Sequence, residues 1–211
     1  MGMYPNGLRV IRDIDEDLFQ EIRNQGTPYR FRRWERHDGT EVMSAEEEVL
    51  CRGEDELESL GIRRWRLQKI LFETAKKQGI DIFFGKECVN VHSKPDGIVE
   101  IQFEDGTRRL TQVLFGADGA KSKVRQVATA MDPEKEPPVL AYTGVTCLMG
   151  IADECSKEGR GLSFPSSTST KCHGAFFPTG ESEQCFQFHF PIDEDDVKNT
   201  EWGTSSAEVG R

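Results

Sequence analysis

Residues 112–125, Gln-Val-Leu-Phe-Gly-Ala-Asp-Gly-Ala-Lys-Ser-Lys-Val-Arg, constrain the fold more than any other stretch of the chain. The apolar run from Val113 to Phe115 predicts a strand buried on both faces. Asp118 and Gly119 follow where such a strand ends, and open α/β sheets bind ligands beyond the carboxyl ends of their strands. Gly119 lets a ligand approach the backbone, and the Asp118 carboxylate can accept hydrogen bonds from hydroxyl groups. The segment therefore predicts either a ligand-binding edge or a strand-turn-helix corner that Asp118 caps.

Ser122 and Arg125 follow within one helical turn and offer a hydroxyl group and a guanidinium group suited to phosphate. Residues 116–125 resemble the Asp-Gly motif of FAD-dependent monooxygenases of the aromatic-hydroxylase type, the group that includes salicylate hydroxylase and kynurenine monooxygenase. The Gly-Ala-Asp-Gly, the Ser and the Val-Arg all fall at the family's spacing. The resemblance implies that Asp118 and Gly119 lie beside the pyrophosphate and ribitol of FAD and take part in NAD(P)H binding.

Composition excludes several classes of protein. The chain has 211 residues and a net charge of −10, which argues against nucleic acid as a partner because phosphate backbones need a basic surface. No apolar run reaches the length of about 18 residues that a membrane-spanning helix requires. The start has no signal-peptide pattern, and the six cysteines form no Cys-x-x-Cys pair. These features predict a cytoplasmic protein with reduced thiols rather than a disulfide framework.

The first sixty residues predict a helix, a hairpin and a loop. Apolar residues at three- and four-residue steps predict a helix over 6–23. Residues 29–44 predict a hairpin with Asp38-Gly39 at its turn, and the acidic residues within 45–60 predict a solvated loop rather than a metal site. In the family that the Asp-Gly motif resembles, such a helix follows the first βαβ unit and such a hairpin belongs to the substrate domain.

Residues 62–78 predict the clearest helix, and three arginines cluster in its first turn. Arg63, Arg64 and Arg66 are unfavourable at a helix N-terminus unless an anion binds there, so they indicate either an anion site or a solvated basic face. The segment also resembles the family's Arg-x-x-Leu-x-x-x-Leu helix. The resemblance implies that Arg64 contacts FAD.

Residues 80–115 are β in character, with predicted strands at 80–84, around 89–91, at 99–103 and at 110–115. The family has the same order of helix, strand, β-meander and Asp-Gly strand. The resemblance implies a backbone contact to the adenine of FAD just after Gly85. Cys88 matches that position best, with Val89 next to it, and an ordinary strand residue is the alternative.

The last third predicts a second sheet. A proline-rich loop at 131–138 precedes antiparallel strands within 140–151, 161–164 and 174–191, the last pair around a turn at Gly180. The phenylalanines of these strands belong either to a sheet core or to the lining of a substrate cavity. Residues 192–211 predict an acidic tail.

Several motifs are absent from the sequence. It contains no Gly-x-Gly-x-x-Gly, no complete phosphate-binding P-loop, no His or Cys spacing typical of a metal site, and no Gly-Asp dipeptide. Two of the three cofactor signatures of the resembled family are therefore missing. The predicted fold is mixed α/β: a partial Rossmann-like FAD/NAD(P)-binding domain that lacks its first βαβ unit, interleaved with an antiparallel substrate domain.

The domain boundaries predicted on this basis follow the family's order. They are an FAD-domain helix at 1–26, a substrate-domain hairpin and acidic loop at 27–60, an FAD-domain portion with the Asp-Gly motif at 61–134, a substrate-domain sheet at 135–191 and the tail at 192–211.

Two functions remain open from the sequence. In the first, the chain belongs to an NAD(P)H-dependent flavin monooxygenase that hydroxylates or epoxidises a small organic substrate, such as an aromatic compound. Arg64, Cys88, Asp118 and Gly119 are then the cofactor-binding residues, FAD and NAD(P)H are the cofactors, and no catalytic base can be named. In the second, the chain is a non-catalytic remnant or binding module that cannot hold FAD alone, since the glycine-rich anion site is missing.

Overall fold

The structure is a computed structural model that describes residues 1–29, 31–46, 57–130, 141–153 and 161–198. The helices of these residues are Pro5–Ile14 (α1), Glu16–Gln25 (α2), Arg64–Lys77 (α3), Lys123–Ala130 (α4) and Glu194–Lys198 (α5). The strands are Gly2–Met3 (β1), Thr27–Tyr29 (β2), Phe31–Arg36 (β3), Glu41–Glu46 (β4), Ser59–Gly61 (β5), Cys88–Ser93 (β6), Val99–Phe103 (β7), Arg108–Thr111 (β8), Val145–Ala152 (β9), Gly161–Ser167 (β10), Cys172–Pro178 (β11) and Gln184–Pro191 (β12).

The chain forms two compact units, one of residues 1–80 and 144–211 and the other of residues 81–143. The first unit contains two sheets and the helices α1, α2, α3 and α5. The second contains one sheet and α4. The mixed α/β class predicted from the sequence is confirmed.

In the first unit, three helices surround a small sheet with the strand order β1-β5-β2. Their shared core is made of apolar residues at helical or strand spacing: Leu8, Phe19, Ile22, Leu60, Ile62, Leu67 and Ile70. The single helix predicted over 6–23 is wrong, because Asp15 divides it in two. Asp15 has extended backbone angles, and its carboxylate accepts a hydrogen bond from the Leu18 N–H at 2.9 Å, which caps the second helix.

The larger sheet of this unit has the strand order β4-β3-β10-β11-β12-β9. The hairpin predicted over 29–44 is confirmed as β3 and β4, and the predicted turn at Gly180 joins β11 and β12. The expectation of purely antiparallel pairing is wrong at one place, because β10 pairs with β3 in parallel. The hairpin of β3 and β4 therefore extends the six-stranded sheet. The parallel direction is possible because a long chain segment connects β3 to β10.

One face of this sheet forms a second core with Tyr29, Leu162, Phe177 and Cys185. The small sheet approaches it so closely that a Cβ atom on Gly61 would lie 1.7 Å from the Pro178 carbonyl oxygen. Only glycine allows this contact between β5 and the end of β11.

The second unit is an antiparallel meander, β6-β7-β8, with α4 packed on β6. The turns have Gly97 and Gly106 at φ values of +80° and +79°, as tight hairpins require. The predicted strands at 89–91 and 99–103 are confirmed as β6 and β7.

Two further predicted strands of this region do not form. Residues 80–84 have no strand structure, and β8 ends at Thr111, so the run that leads into the Asp-Gly motif is an irregular segment. Val113 and Phe115 are 62% and 87% exposed instead of buried on both faces. A strand needs a hydrogen-bonded neighbour, and no described strand pairs with either segment.

Some predictions fall on residues that the structure does not describe. They are the proline-rich loop at 131–138, most of the acidic loop within 47–56, and the tail from residue 199 onwards. Within the described ranges, Cys88, Cys147, Cys172 and Cys185 are free thiols. None of the helices in these ranges is long and apolar enough to cross a membrane, and no group of three His, Cys, Asp or Glu side chains there could hold a metal ion.

Candidate functional site

The Asp-Gly segment is a loop that begins α4, with Asp118 as its cap. One carboxylate oxygen of Asp118 accepts a hydrogen bond from the Ser122 hydroxyl at 2.5 Å. The other accepts from the backbone N–H groups of Lys123 at 2.6 Å and Val124 at 3.3 Å. These bonds stabilise the charged form and hold the pKa of Asp118 below its ordinary value, with the Ser122 hydroxyl the largest cause. The capping role that the sequence left open is therefore present in the structure.

Ser122 and Arg125 are engaged within the same loop. The buried Ser122 hydroxyl oxygen accepts the Arg125 backbone N–H at 3.0 Å, and the Arg125 guanidinium donates to the Ala120 carbonyl oxygen. Because these polar side chains bond within the loop, the groups of the loop that face solvent are the backbone N–H and C=O groups of the exposed turn around Gly119. Gly119 has φ +81°, which a residue with a side chain adopts only at a cost in conformational energy.

Cys88 lies at the start of β6 in the same unit as Asp118. Its pKa is raised, mainly by burial and secondly by the nearby Asp118 carboxylate, so the thiol stays protonated at neutral pH. The pairing of β6 with β7 shifts its register between Cys88 and Asn90, which leaves Val89 as the extra residue of a β-bulge. A bulge leaves backbone groups outside the ladder. This is the kind of free backbone group that an adenine contact after Gly85 would need.

Arg64 is the first residue of α3 and belongs to the other unit. Its side chain is exposed, and among the described residues no acidic side chain pairs with it. No side chain of the described residues caps this helix, and a backbone bond of 3.1 Å runs from the Leu67 N–H to the Arg63 carbonyl oxygen. The N–H groups of the first turn therefore remain available beside an unpaired cation, which is the arrangement that binds phosphate.

The neighbouring arginines have partners. Arg63 binds Glu183 through two bonds of 2.6 Å and lies 3.8 Å from Asp153, while the guanidinium of Arg66 lies over the Trp65 ring at 5.5 Å. The three arginines thus have different surroundings. Arg63 is held in an ion pair and Arg66 is stacked on Trp65, whereas Arg64 pairs with no acidic side chain of the described residues. The structure describes Arg64 in one unit and Cys88, Asp118 and Gly119 in the other.

A cavity of about 420 Å³ opens on the inner face of the six-stranded sheet. Four aromatic side chains line it: Tyr4, Tyr29, Phe164 and Phe177. Of the two roles that the sequence left open for phenylalanines of this sheet, Phe177 fills both, since it belongs to the core and to the cavity wall.

The polar side of the cavity comes from β11 and β12. His173 and His189 are direct partners across these strands, and their rings stack with centroids 5.0 Å apart. Gln187 lies two residues before His189 and shares its face of the sheet. Nδ1 of His189 is buried without a hydrogen-bond partner in the described part of the chain.

These polar residues belong to no motif that the sequence predicts as a site. The pattern that points to them is the alternation of polar and aromatic residues along β12. Cys185, Gln187 and His189 share the inner face, while Phe186 and Phe188 lie on the outer face.

The family model described as "FAD binding domain" matches residues 17–206. The chain belongs to the FAD binding domain family. This match includes the Arg64 helix, the meander, the Asp-Gly loop and the six-stranded sheet. It supports FAD as the cofactor and confirms the family that the sequence motif resembles.

Curated relatives of this FAD binding domain chain include monooxygenases. It is 33% identical over 98 residues to the monooxygenase cfoF of Aspergillus candidus, covering 44% of this chain and 22% of that protein. It is 38% identical over 93 residues to the chloroplastic zeaxanthin epoxidase of Nicotiana plumbaginifolia, covering 44% of this chain and 12% of that protein. It is also 24% identical over 159 residues to the FAD-dependent monooxygenase olcE of Penicillium canescens, covering 72% of this chain and 33% of that protein. The chain thus spans between 12% and 33% of the length of these three relatives.

Solved structures share the fold over nearly the whole chain. HpxO of Klebsiella pneumoniae, solved with FAD and uric acid, superimposes with a TM-score of 0.76 at 17% identity, covering 92% of this chain and 47% of that protein. PqsL of Pseudomonas aeruginosa, solved with 2-aminobenzoylacetate, superimposes with a TM-score of 0.69 at 17% identity, covering 94% of this chain and 51% of that protein. The chain therefore spans about half the length of these neighbours.

Proposed function

We propose that this chain is the central portion of an FAD-dependent monooxygenase that hydroxylates or epoxidises a small organic substrate. The observation that carries the proposal is the FAD binding domain match over residues 17–206, which includes the capped Asp-Gly loop. The monooxygenase names of the curated relatives support the reaction class. NAD(P)H is the proposed reductant, by the resemblance of the Asp-Gly motif.

When bound, FAD supplies the redox chemistry, and the protein contributes binding, orientation and the exclusion of competing reactions. Arg64 and the free N–H groups at the start of α3 would bind phosphate oxygens. Asp118 acts through the loop, because both of its oxygens hold the turn that exposes the backbone of Gly119. Cys88 and Val89 offer the backbone of a β-bulge to the adenine. The cavity on the six-stranded sheet is the proposed substrate site.

A second candidate is a non-catalytic remnant or binding module that cannot hold FAD on its own. The observation that favours it is the absence of Gly-x-Gly-x-x-Gly from the sequence, since that turn and its helix N-terminus form the main anion site for a diphosphate. In this case the Arg64 site and the Asp-Gly loop would give only part of the binding free energy.

Titration of the 211-residue chain with FAD, followed by flavin fluorescence and the visible spectrum, tests the proposal. We expect weak, salt-sensitive binding with a dissociation constant above about 10 μM, corresponding to less than about 7 kcal/mol. Arg64→Gln should weaken this binding at least about fivefold, since it removes a charge-assisted hydrogen bond. Arg66→Gln is the matched control and should leave it unchanged, because Arg66 is stacked on Trp65.

Each outcome of the titration has a defined meaning. Binding that weakens in Arg64→Gln and not in Arg66→Gln supports the proposed site. Equal losses of FAD affinity in both variants would show that the arginines act only through their general positive charge. No flavin response at about 1 mM FAD, where complexes weaker than about 4 kcal/mol begin to be missed, would favour the binding-module alternative.

A further inference from the structure

We propose that the cavity of the six-stranded sheet selects an uncharged, flat ring system with an amide-like edge that hydrogen-bonds to Gln187 and the His173–His189 pair. This inference rests on the proposed function of the cavity as the substrate site. It goes beyond it by naming the chemical class that the lining recognises.

The aromatic walls determine the shape of the ligand. Tyr4, Tyr29 and Phe177 line the cavity together with Phe164, whose ring stacks on Trp34 at 5.6 Å with an interplanar angle of 23°. A ring fixed in this way offers a flat surface, and aromatic rings prefer offset-stacked or edge-to-face partners. The volume of about 420 Å³ lies near the lower end of the usual range for small-molecule sites, which suits one or two fused rings.

The polar residues determine the edge of the ligand. The side-chain amide of Gln187 has no hydrogen-bond partner within the described part of the chain, and it offers both a donor and an acceptor. Each neutral imidazole of the His173–His189 pair likewise carries one donor and one acceptor. A carboxamide, lactam or similar group presents the complementary donor and acceptor side by side, so it can satisfy these groups when water is displaced.

The lining disfavours a charged ligand. The described residues that line the cavity include no lysine, arginine, aspartate or glutamate. Arg32 lies over the Tyr4 ring at 5.0 Å and is not itself a lining residue. The stacked imidazoles, 5.0 Å apart, would repel each other if both were protonated. A carboxylate would therefore lose its hydration without gaining a full opposite charge, which is costly.

The test uses two probes of the same shape, indole-3-carboxamide and indole-3-carboxylate, and the full 211-residue chain. Binding is measured by protein-observed NMR at about pH 8. We expect the carboxamide to bind at least about tenfold more tightly than the carboxylate, a difference that matches the desolvation cost of an unpaired charge.

The variant Gln187→Leu removes the amide and leaves an apolar side chain that is one atom shorter. It should weaken carboxamide binding about three- to tenfold, the usual effect of one hydrogen bond, and should bring the affinities of the two probes closer together. Gln20→Leu is the matched control, since Gln20 lies exposed on α2 and its side-chain amide donates to Glu16 at 2.7 Å. It should leave both affinities unchanged.

Tighter or equal binding of the carboxylate would overturn the inference, as would carboxamide binding that Gln187→Leu does not weaken. Failure of both probes to perturb the cavity resonances at about 10 mM, which corresponds to less than about 3 kcal/mol, would also count against it. The probes are used without FAD, so this result is independent of the flavin titration. If the chain binds the carboxamide but not FAD, the proposed enzyme function is contradicted and the inferred specificity of the cavity still holds.

Discussion

At the scale of single residues, Gly61 determines how closely the small sheet can approach the large one. Gly61→Ala should reduce the free energy of unfolding by about 3 kcal/mol or more, because the new Cβ would overlap the Pro178 carbonyl oxygen, which is backbone. Gly7→Ala is the matched control, since no side chain among the described residues lies within 4 Å of a Cβ at Gly7. It should stabilise α1 by about 0.5 kcal/mol. Urea denaturation of both variants tests this, and similar effects at both positions would contradict it.

The site residues show how far single positions can be predicted from sequence. The sequence predicts Asp118 either as a ligand contact or as a cap, and only the three-dimensional structure shows that both oxygens are engaged in capping. From the sequence, the three arginines at the start of α3 form one cluster with one role. In the structure Arg63 differs from Arg64 because it pairs with Glu183, which lies 120 positions away, and no local pattern predicts such a partner.

At the scale of elements, the pair of Arg63 and Glu183 joins the start of α3 to the turn between β11 and β12. Glu183→Ala should cost about 2 kcal/mol in the free energy of unfolding, because it leaves a partly buried guanidinium without its two-bond partner. Glu41→Ala is the matched control. It breaks a more exposed pair with Arg33 at 3.3 Å and should cost less than about 0.5 kcal/mol. Urea denaturation gives both values, and equal costs would show that the Arg63 pair adds nothing specific.

The second unit contains a carboxylate, Asp105, whose titration reports the contact between the turn from β7 to β8 and the segment that precedes β6. Asp105 accepts hydrogen bonds from Lys86 and Thr107, and these lower its pKa to about 2 from an ordinary 3.8, with Lys86 the largest cause. A depressed pKa in the folded state stabilises the fold above the unfolded value, and this contribution is lost as the pH falls from 3.8 through about 2.

NMR titration of the Asp105 carboxyl group tests this assignment. The midpoint should lie near 2 in the original chain, and Lys86→Met should move it toward 3.8. Lys94→Met is the control, because Lys94 pairs with Glu100 at 3.0 Å instead, and it should leave Asp105 unchanged. An Asp105 midpoint that stays low in Lys86→Met would show that the backbone and Thr107 are sufficient.

The elements also show which predictions from sequence succeed. The hairpin with Asp38-Gly39 and the alternating strand at 99–103 are correct because their signals are local. The helix over 6–23 is wrong because its apolar period continues through Asp15, whose capping bond interrupts the backbone. The parallel contact of β3 with β10 was missed because pairing between distant segments depends on the whole fold.

At the scale of the whole molecule, the chain matches about half the length of its structural neighbours, and its second unit leaves apolar side chains in solvent. Phe84 and Phe115 are 78% and 87% exposed, in two segments whose apolar runs predict strands. Composition reports which residues favour burial, but it cannot supply the neighbouring strand that would bury them. Exposed apolar segments of this kind promote association between chains.

Phe115→Ser should therefore reduce self-association without weakening the fold. Because Phe115 already lies in solvent, the free energy of unfolding should change by less than about 0.5 kcal/mol, while light scattering at increasing protein concentration should fall. Phe19→Ala is the matched control, since Phe19 is 2% exposed in the core of the first unit and its loss should cost about 3–5 kcal/mol. A cost for Phe115→Ser similar to that of Phe19→Ala would mean that Phe115 is buried in solution and that the Asp-Gly strand forms there after all.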